Sequence, residues 1–181
     1  MNYFIVVPEG LKSSSDKDTQ PSFVFKQVLE YTSSAVVQGD RVFFAPANSF
    51  GTGSTEQKIG GNFLKELIQD KRITISLQDM QYKKYIDTFE NAILLMRQYP
   101  ELKNLPIQLV VANIHSYRAK YCFKMAGFKI KKIHRVRYKI FNEPIVNRLW
   151  YYRYPYIHCI YELIALLWDF LTSAYRLKSL K

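Results

Sequence analysis

The stretch IQLVVANIHSYRAKYCFKMAG, residues 107–127, decides the architecture of this chain. Its first six residues are apolar apart from Gln108 and rich in β-branched types, which suits a strand covered on both faces. They run straight into a segment of helical spacing that stops at Gly127, a residue able to take the left-handed conformation that closes helices. A short buried strand handing over directly to a helix is half of a βαβ unit, and reading outward finds the same unit again. Residues 3–7, 41–45 and 73–77 read as further strands, and residues 23–36, 55–69 and 88–98 as the helices that follow them. Residues 128–140 supply a fifth strand, its alternation blurred by five bases from Lys129 to Arg137. This order predicts an α/β domain with a mainly parallel sheet of four to five strands and helices on both faces. Ligands of such sheets sit beyond the carboxyl ends of the strands.

The chain has 181 residues, 48% hydrophobic and 23% charged, a globular composition rather than a disordered or collagen-like one. That length suits a single domain over residues 1–181, with a core over about 1–140 and a basic, aromatic, helical extension over about 141–181. Cys122 and Cys159 make neither a metal-ligand spacing nor a disulfide framework, so a reducing, cytoplasmic setting is expected. The opening residues lack a basic leader and a small-residue cleavage site, so no signal peptide is expected. The segment 12–21, rich in Ser, Asp and Lys, is linker-like.

The net charge of +11 is unevenly placed. Residues 1–100 carry 11 Lys and Arg against 11 Asp and Glu, whereas residues 101–181 carry 15 against 4, so the whole excess lies in the second part. Such a basic region attracts anionic lipid, nucleic acid or a phosphorylated ligand without choosing among them, and a solvated face is the plain alternative. Residues 144–181 hold nine aromatics. As a helix from about Tyr156 they are apolar nearly all round, with one narrow polar stripe through His158, Glu162, Asp169 and Arg176. The plain reading buries this helix against the sheet or its neighbours. The sharper one lays it at an anionic membrane surface, with Trp150, Trp168 and the tyrosines at headgroup level beside Arg148, Arg153 and Arg176. No run of 18 uncharged apolar residues occurs, so no spanning helix is expected. Nucleic acid is the disfavoured partner, because it rests on charge and on the interleaved residues 148–153, which suit an interface helix equally.

The informative polar residues cluster where strands hand over to helices. Ser54 with Gln57 three residues on reads as a capping box, and Asp87 with Glu90 repeats it. Asn113 can cap the next helix, with His115 and Arg118 three apart on one face. Capping leaves Glu56, Thr88, Asn91, His115 and Arg118 without a purpose, so these five are the functional candidates. Helix N-termini gathered at one sheet edge suit a phosphate or carboxylate, to which Arg118 can add a bidentate fork. His115 is the side chain here that titrates near neutrality, although a lone His is commonly structural. Glu56, His115 and Asp87 lack HxH or HxxxH spacing, so no metal is expected. Dinucleotide, P-loop and nucleophile-elbow motifs do not occur.

At these junctions the sequence resembles the SanA/YdcF/ElyC-like family, a bacterial domain of unknown function also described as vancomycin high-temperature exclusion protein-like. Residues 87–92, DTFENA, are similar to its N-T-x-E-N-A, and residues 111–128, VANIHSYRAKYCFKMAGF, to its T-S-x-x-H-x-x-R-A…F…G-F run. Glu56 in STEQKIGGNFLKEL and Glu162 in YELIALLWDFL add weaker similarity. The chain departs from the pattern at Pro8-Glu9-Gly10, where a glycine-rich turn is usual, at residues 45–50, which lack paired glycines, and at Ala112, where serine is usual. The resemblance implies a Rossmann-like three-layer fold with one pocket made by Glu56, Thr88, Asn91, His115 and Arg118, and a link to cell-envelope biogenesis.

Together these readings lead to a protein that binds an anionic or nucleotide-like small molecule at the carboxyl ends of the parallel strands. Thr88, Asn91, Arg118, Asn113 and Gly10 are expected to bind it, and His115 and Glu56 to serve as acid and base. Turnover, if there is any, is expected to be phosphoryl or glycosyl-phosphate chemistry. The alternative is a non-enzymatic protein, peripheral on the inner face of the membrane, that meets lipid or envelope precursors through its C-terminal region.

Overall fold

The computed structural model describes residues 1–12, 19–51, 53–68, 72–78 and 85–179, so most of the linker-like segment 12–21 lies outside the described residues. Strands β1 (Tyr3–Val6), β2 (Arg41–Phe44), β3 (Thr74–Ser76), β4 (Pro106–Ala112) and β5 (Lys129–Val136) form one sheet. The order is β3-β2-β1-β4-β5, and every neighbouring pair is parallel. Tyr3 pairs with Arg41 on one side and Ile107 on the other, which places β1 at the centre.

Four helices connect these strands, α1 (Phe23–Ala35), α2 (Glu56–Leu67), α3 (Thr88–Gln98) and α4 (Ser116–Met125). Successive strand residues point to opposite faces, so each strand feeds two cores. Phe4, Val6, Val42, Phe44 and Val110 pack with α1 and α2, while Ile5, Val7, Phe43, Leu109 and Val111 pack with α3 and α4. The chain steps from β1 outward to β3, then returns to lay β4 on the other side of β1. That reversal is the topological switch point, where open α/β sheets form their ligand crevice.

Two expected caps lie elsewhere. At α2 the cap is Thr55 rather than Ser54, its hydroxyl accepting from the Lys58 N–H at 3.4 Å. Gln57 does not reach back, because its Oε1 accepts from the Ala47 N–H at 2.9 Å and ties the helix to the loop after β2. Asn113 caps nothing with its side chain. Its N–H extends the β4–β5 ladder to the Val136 carbonyl, and its own carbonyl accepts from the Ser116 N–H and hydroxyl, so a turn intervenes before α4 begins. Asp87 and Glu90 do form the reciprocal capping box. β5 is shorter than its apolar pattern, because Lys139 leaves the ladder to exchange hydrogen bonds with the Gln27 side chain on α1.

After β5 a 3-10 helix (Asn147–Arg153) leads into α5 (Pro155–Ser179). This helix packs inside out. His158, Glu162, Asp169 and Ser173 are buried, whereas Tyr156, Leu163, Leu167, Trp168 and Leu171 face outward. It does rest on its neighbours, as the plain reading has it, but by its polar stripe. By length and composition alone Pro155–Lys178 is long and apolar enough to cross a membrane, 18 of its residues in a row having a mean hydropathy of 1.3 although that run is not free of charge.

Close approach of α1 to α2 depends on Gly60. A Cβ there would come within 2.6 Å of Phe25 Cε1, and Phe25 is fully buried edge-on to Phe44. Gly60→Ala gains about 1 kcal/mol of helix propensity. Overpacking costs about 1–3 kcal/mol, so urea unfolding should show a net loss of stability.

Candidate functional site

Beyond β1 the chain crosses the carboxyl edge of the sheet at the switch point, and Glu9, buried there, joins three parts of the molecule. Its Oε1 accepts from the Ala112 N–H at 2.9 Å, at the end of β4. Both its oxygens lie 3.1 Å from His115 Nδ1, and Oε2 accepts from the Tyr152 hydroxyl at 2.5 Å. Glu9 and Ala112 therefore touch. Gly10 next to it has φ +92°, a left-handed conformation suited to glycine, and its N–H donates to Glu56 Oε1 at 2.7 Å.

His115 carries the chain of contacts onward. Nδ1 faces the Glu9 carboxylate and so holds a proton, while Nε2 lies 2.9 Å from Thr88 Oγ1 at the start of α3. The hydroxyl donates to the neutral ring and accepts from the charged one. Burial works against the imidazolium, but the charges of Glu9 and Glu162 and the Glu9 hydrogen bond outweigh it and hold the His115 pKa above its ordinary 6.5. Thr88 Oγ1 also accepts from Arg118 Nη2 at 2.7 Å.

Arg118 is not the open anion fork that its position on the first turn of α4 suggests. Nη1 donates to Glu162 Oε1 and Nε to Asp169 Oδ2, each at 3.1 Å, so two carboxylates of α5 already hold it. Arg176, further along α5, bonds Asp169 at 2.8 Å and the Asp87 cap of α3 at 2.7 Å. Burial alone would raise the Glu162 pKa, yet His115, neighbouring His158 and Arg118 hold it down to about 2. His158 Nε2 stands 3.8 Å away, an ion-pair separation rather than a hydrogen bond. Cys122 Sγ donates to Asp169 at 3.4 Å, and burial pushes its thiol up, which makes it a poor nucleophile.

Glu56 sits across from this chain at the start of α2. Its oxygens accept from the Gly10 and Asn48 N–H groups at 2.7 and 2.9 Å. Burial and the nearby Glu9 charge nevertheless outweigh those donors, and its pKa is raised to about 7. Asn91 links α3 to the loop after β2, its amide oriented so that the nitrogen donates to the Pro46 and Asp87 carbonyls at 2.9 Å. Gly10, Glu56, Thr88, Asn91, His115 and Arg118 all line one cavity of about 40 Å³, together with Leu149, Tyr151, Tyr152 and Glu162. Asn113 lies outside that lining. Glu162 Oε2 is buried there with no hydrogen-bond partner among the described residues. Among those residues no group of three His, Cys, Asp or Glu side chains is arranged to hold a metal ion.

Sequence reasoning passed over Glu9 and Tyr152. A carboxylate in the turn after the first strand was the available signal for Glu9, and it acquires meaning when β4 is known to lie beside β1. Compared with protein-family models, with curated proteins and with solved structures, the chain matches nothing.

Two outcomes follow from these contacts. Arg118→Ala leaves Glu162 buried without a guanidinium and Asp169 with Arg176 alone, and should cost about 3–5 kcal/mol in chemical denaturation, as breaking a buried pair does. The pH dependence of stability should be set by Glu56. Its unfolded form loses a proton near 4.5 and its folded form near 7, so the folded state holds the extra proton between them and stability falls as pH rises through that window. His115, raised above 6.5, acts in the same direction at higher pH. Glu56→Gln should flatten the melting temperature between pH 4.5 and 6.5 and leave the later decline in place.

Proposed function

We propose that this chain is a divergent SanA/YdcF-like domain that takes the phosphoryl end of a hydroxyl-bearing small molecule, a nucleotide or sugar phosphate, into the cavity beneath α5. The observation that carries the proposal is the buried chain Glu9–His115–Thr88–Arg118 at the switch point, facing the same cavity as Glu56. An entering anion competes with Thr88 for His115 Nε2 and Arg118 Nη2, near the positive N-terminal ends of α2 and α3. Glu162 Oε2, which lacks a donor among the described residues, accepts a ligand hydroxyl. A space of about 40 Å³ holds a head group rather than a whole nucleotide, so the remainder of the ligand lies outside it.

Proton transfer is the chemistry these residues favour. Glu56 ionises near neutrality and His115 above its ordinary value, so the pair can hold one proton between two groups poised for acid and base roles. Turnover in this reading is phosphoryl or glycosyl-phosphate transfer, with Gly10, Thr88 and Asn91 shaping the cavity. A cytoplasmic setting comes with the cysteine usage, and a part in envelope biogenesis with the resemblance.

Calorimetric titration of the full chain with nucleotides, sugar phosphates and inorganic phosphate tests the reading. At least one phosphorylated compound should bind, and His115→Gln, shown folded by circular dichroism, should weaken it about 10- to 150-fold, the worth of a charge-assisted hydrogen bond. Absence of binding across the panel, or unchanged affinity in the folded variant, would contradict it.

A further inference from the structure

The outer face of α5 has no use in the ligand site. From Tyr156 to Tyr175 it presents no charge, because Glu162 and Asp169 are turned into the domain. Tyr156 is 88% exposed, Leu171 69% and Trp168 62%, a contiguous apolar face of the kind that marks an interaction surface. At 1.5 Å per residue its 25 residues make a ridge roughly 37 Å long.

We propose that this face docks in the plane of an anionic lipid bilayer, with α5 lying at the boundary between headgroups and acyl chains. Charge decides the occupant. The whole +11 excess lies in residues 101–181, so two copies meeting through α5 would bring like-charged regions together, whereas an anionic leaflet attracts them. Exposed Arg148, on the 3-10 helix that leads into α5, and exposed Lys178, in its last turn, flank this face. Lys120 and Lys124 stand two residues on from Arg118 and Cys122, which turn under α5, and so lie on the far side of α4, where they line a groove of about 410 Å³ with Lys131, Lys132 and Arg135 of β5. Exposed Trp150, Trp168 and Tyr156 are the residue types that settle at headgroup level. The helix lies in the plane rather than across it because Arg118 and Arg176 tie its polar stripe to α3 and α4; crossing would strip those pairs and carry two carboxylates into hydrocarbon. This inference stands apart from the ligand reading and does not depend on it.

Vesicle flotation of the full chain tests it, using phosphatidylcholine alone and phosphatidylcholine with phosphatidylserine. The chain should float with the anionic vesicles at low salt and less so at high salt, where screening shortens the reach of the charges. The triple variant Leu163→Gln, Leu167→Gln, Leu171→Gln alters exposed positions alone, and should lose 10-fold or more in partitioning at an unchanged melting temperature. Arg148→Glu with Lys178→Glu should reduce the preference for anionic vesicles. In a Trp150→Phe background, Trp168 fluorescence should be quenched by shallow rather than deep lipid labels. Failure to float, or flotation indifferent to the triple variant, overturns the proposal. So does a dimer in sedimentation that the triple variant breaks while vesicles go unbound, since a second copy then covers the face. Quenching by the deep label, with resistance to alkaline extraction, overturns it in favour of a spanning helix.

Discussion

A guanidinium buried beneath a helix cannot be left without counter-charge, and the architecture of the second half of this protein follows from how Arg118 is satisfied. Its partners, Glu162 and Asp169, come from α5, 44 and 51 residues further along the chain. The two carboxylates are seven residues apart, two helical turns, and so share one face with Arg176, seven further on. Satisfying Arg118 therefore turns the polar stripe of α5 inward. A helix that is apolar on its remaining faces then has nowhere to put them but outside.

The same arrangement shapes the cavity. Glu9, Asp87, Glu162 and Asp169 meet two guanidiniums and the imidazole of His115 in one connected network. Burial, helped by the nearby charge of Glu9, disfavours a further negative charge at Glu56, and its pKa is raised to about 7. Glu56 is thus the group of the cavity held near neutrality, and α5 forms one of the cavity's walls rather than an appendage. The C-terminal extension and the strand ends make a single site.

The alternation of strand and helix was legible because buried strands and amphipathic helices write different periods into the sequence, and α3 begins and ends where its spacing says. Caps slipped by a residue where two hydroxyls adjoin, as at Ser54 and Thr55, since the choice rests on φ and ψ that composition does not encode. Glu56, Thr88, Asn91, His115 and Arg118 could be gathered from the junctions because parallel topology brings those junctions to one edge. Glu9 could not, for its role depends on β4 lying beside β1. The stripe on α5 was visible as a stripe, but its direction was not. An apolar majority argues for burial until Arg118 and Asp87 are known to stand opposite the minority.

The central claim is that Arg118 and the α5 carboxylates hold each other in the interior. A double-mutant cycle on Arg118→Met and Glu162→Gln, read by chemical denaturation, tests it most directly, because it isolates the pair from the packing lost in each single variant. Coupling of roughly 1–3 kcal/mol, with the double variant less destabilised than the sum of the singles, is the predicted result. Additive effects would mean that α5 does not rest on Arg118, and the inside-out helix would then be wrong.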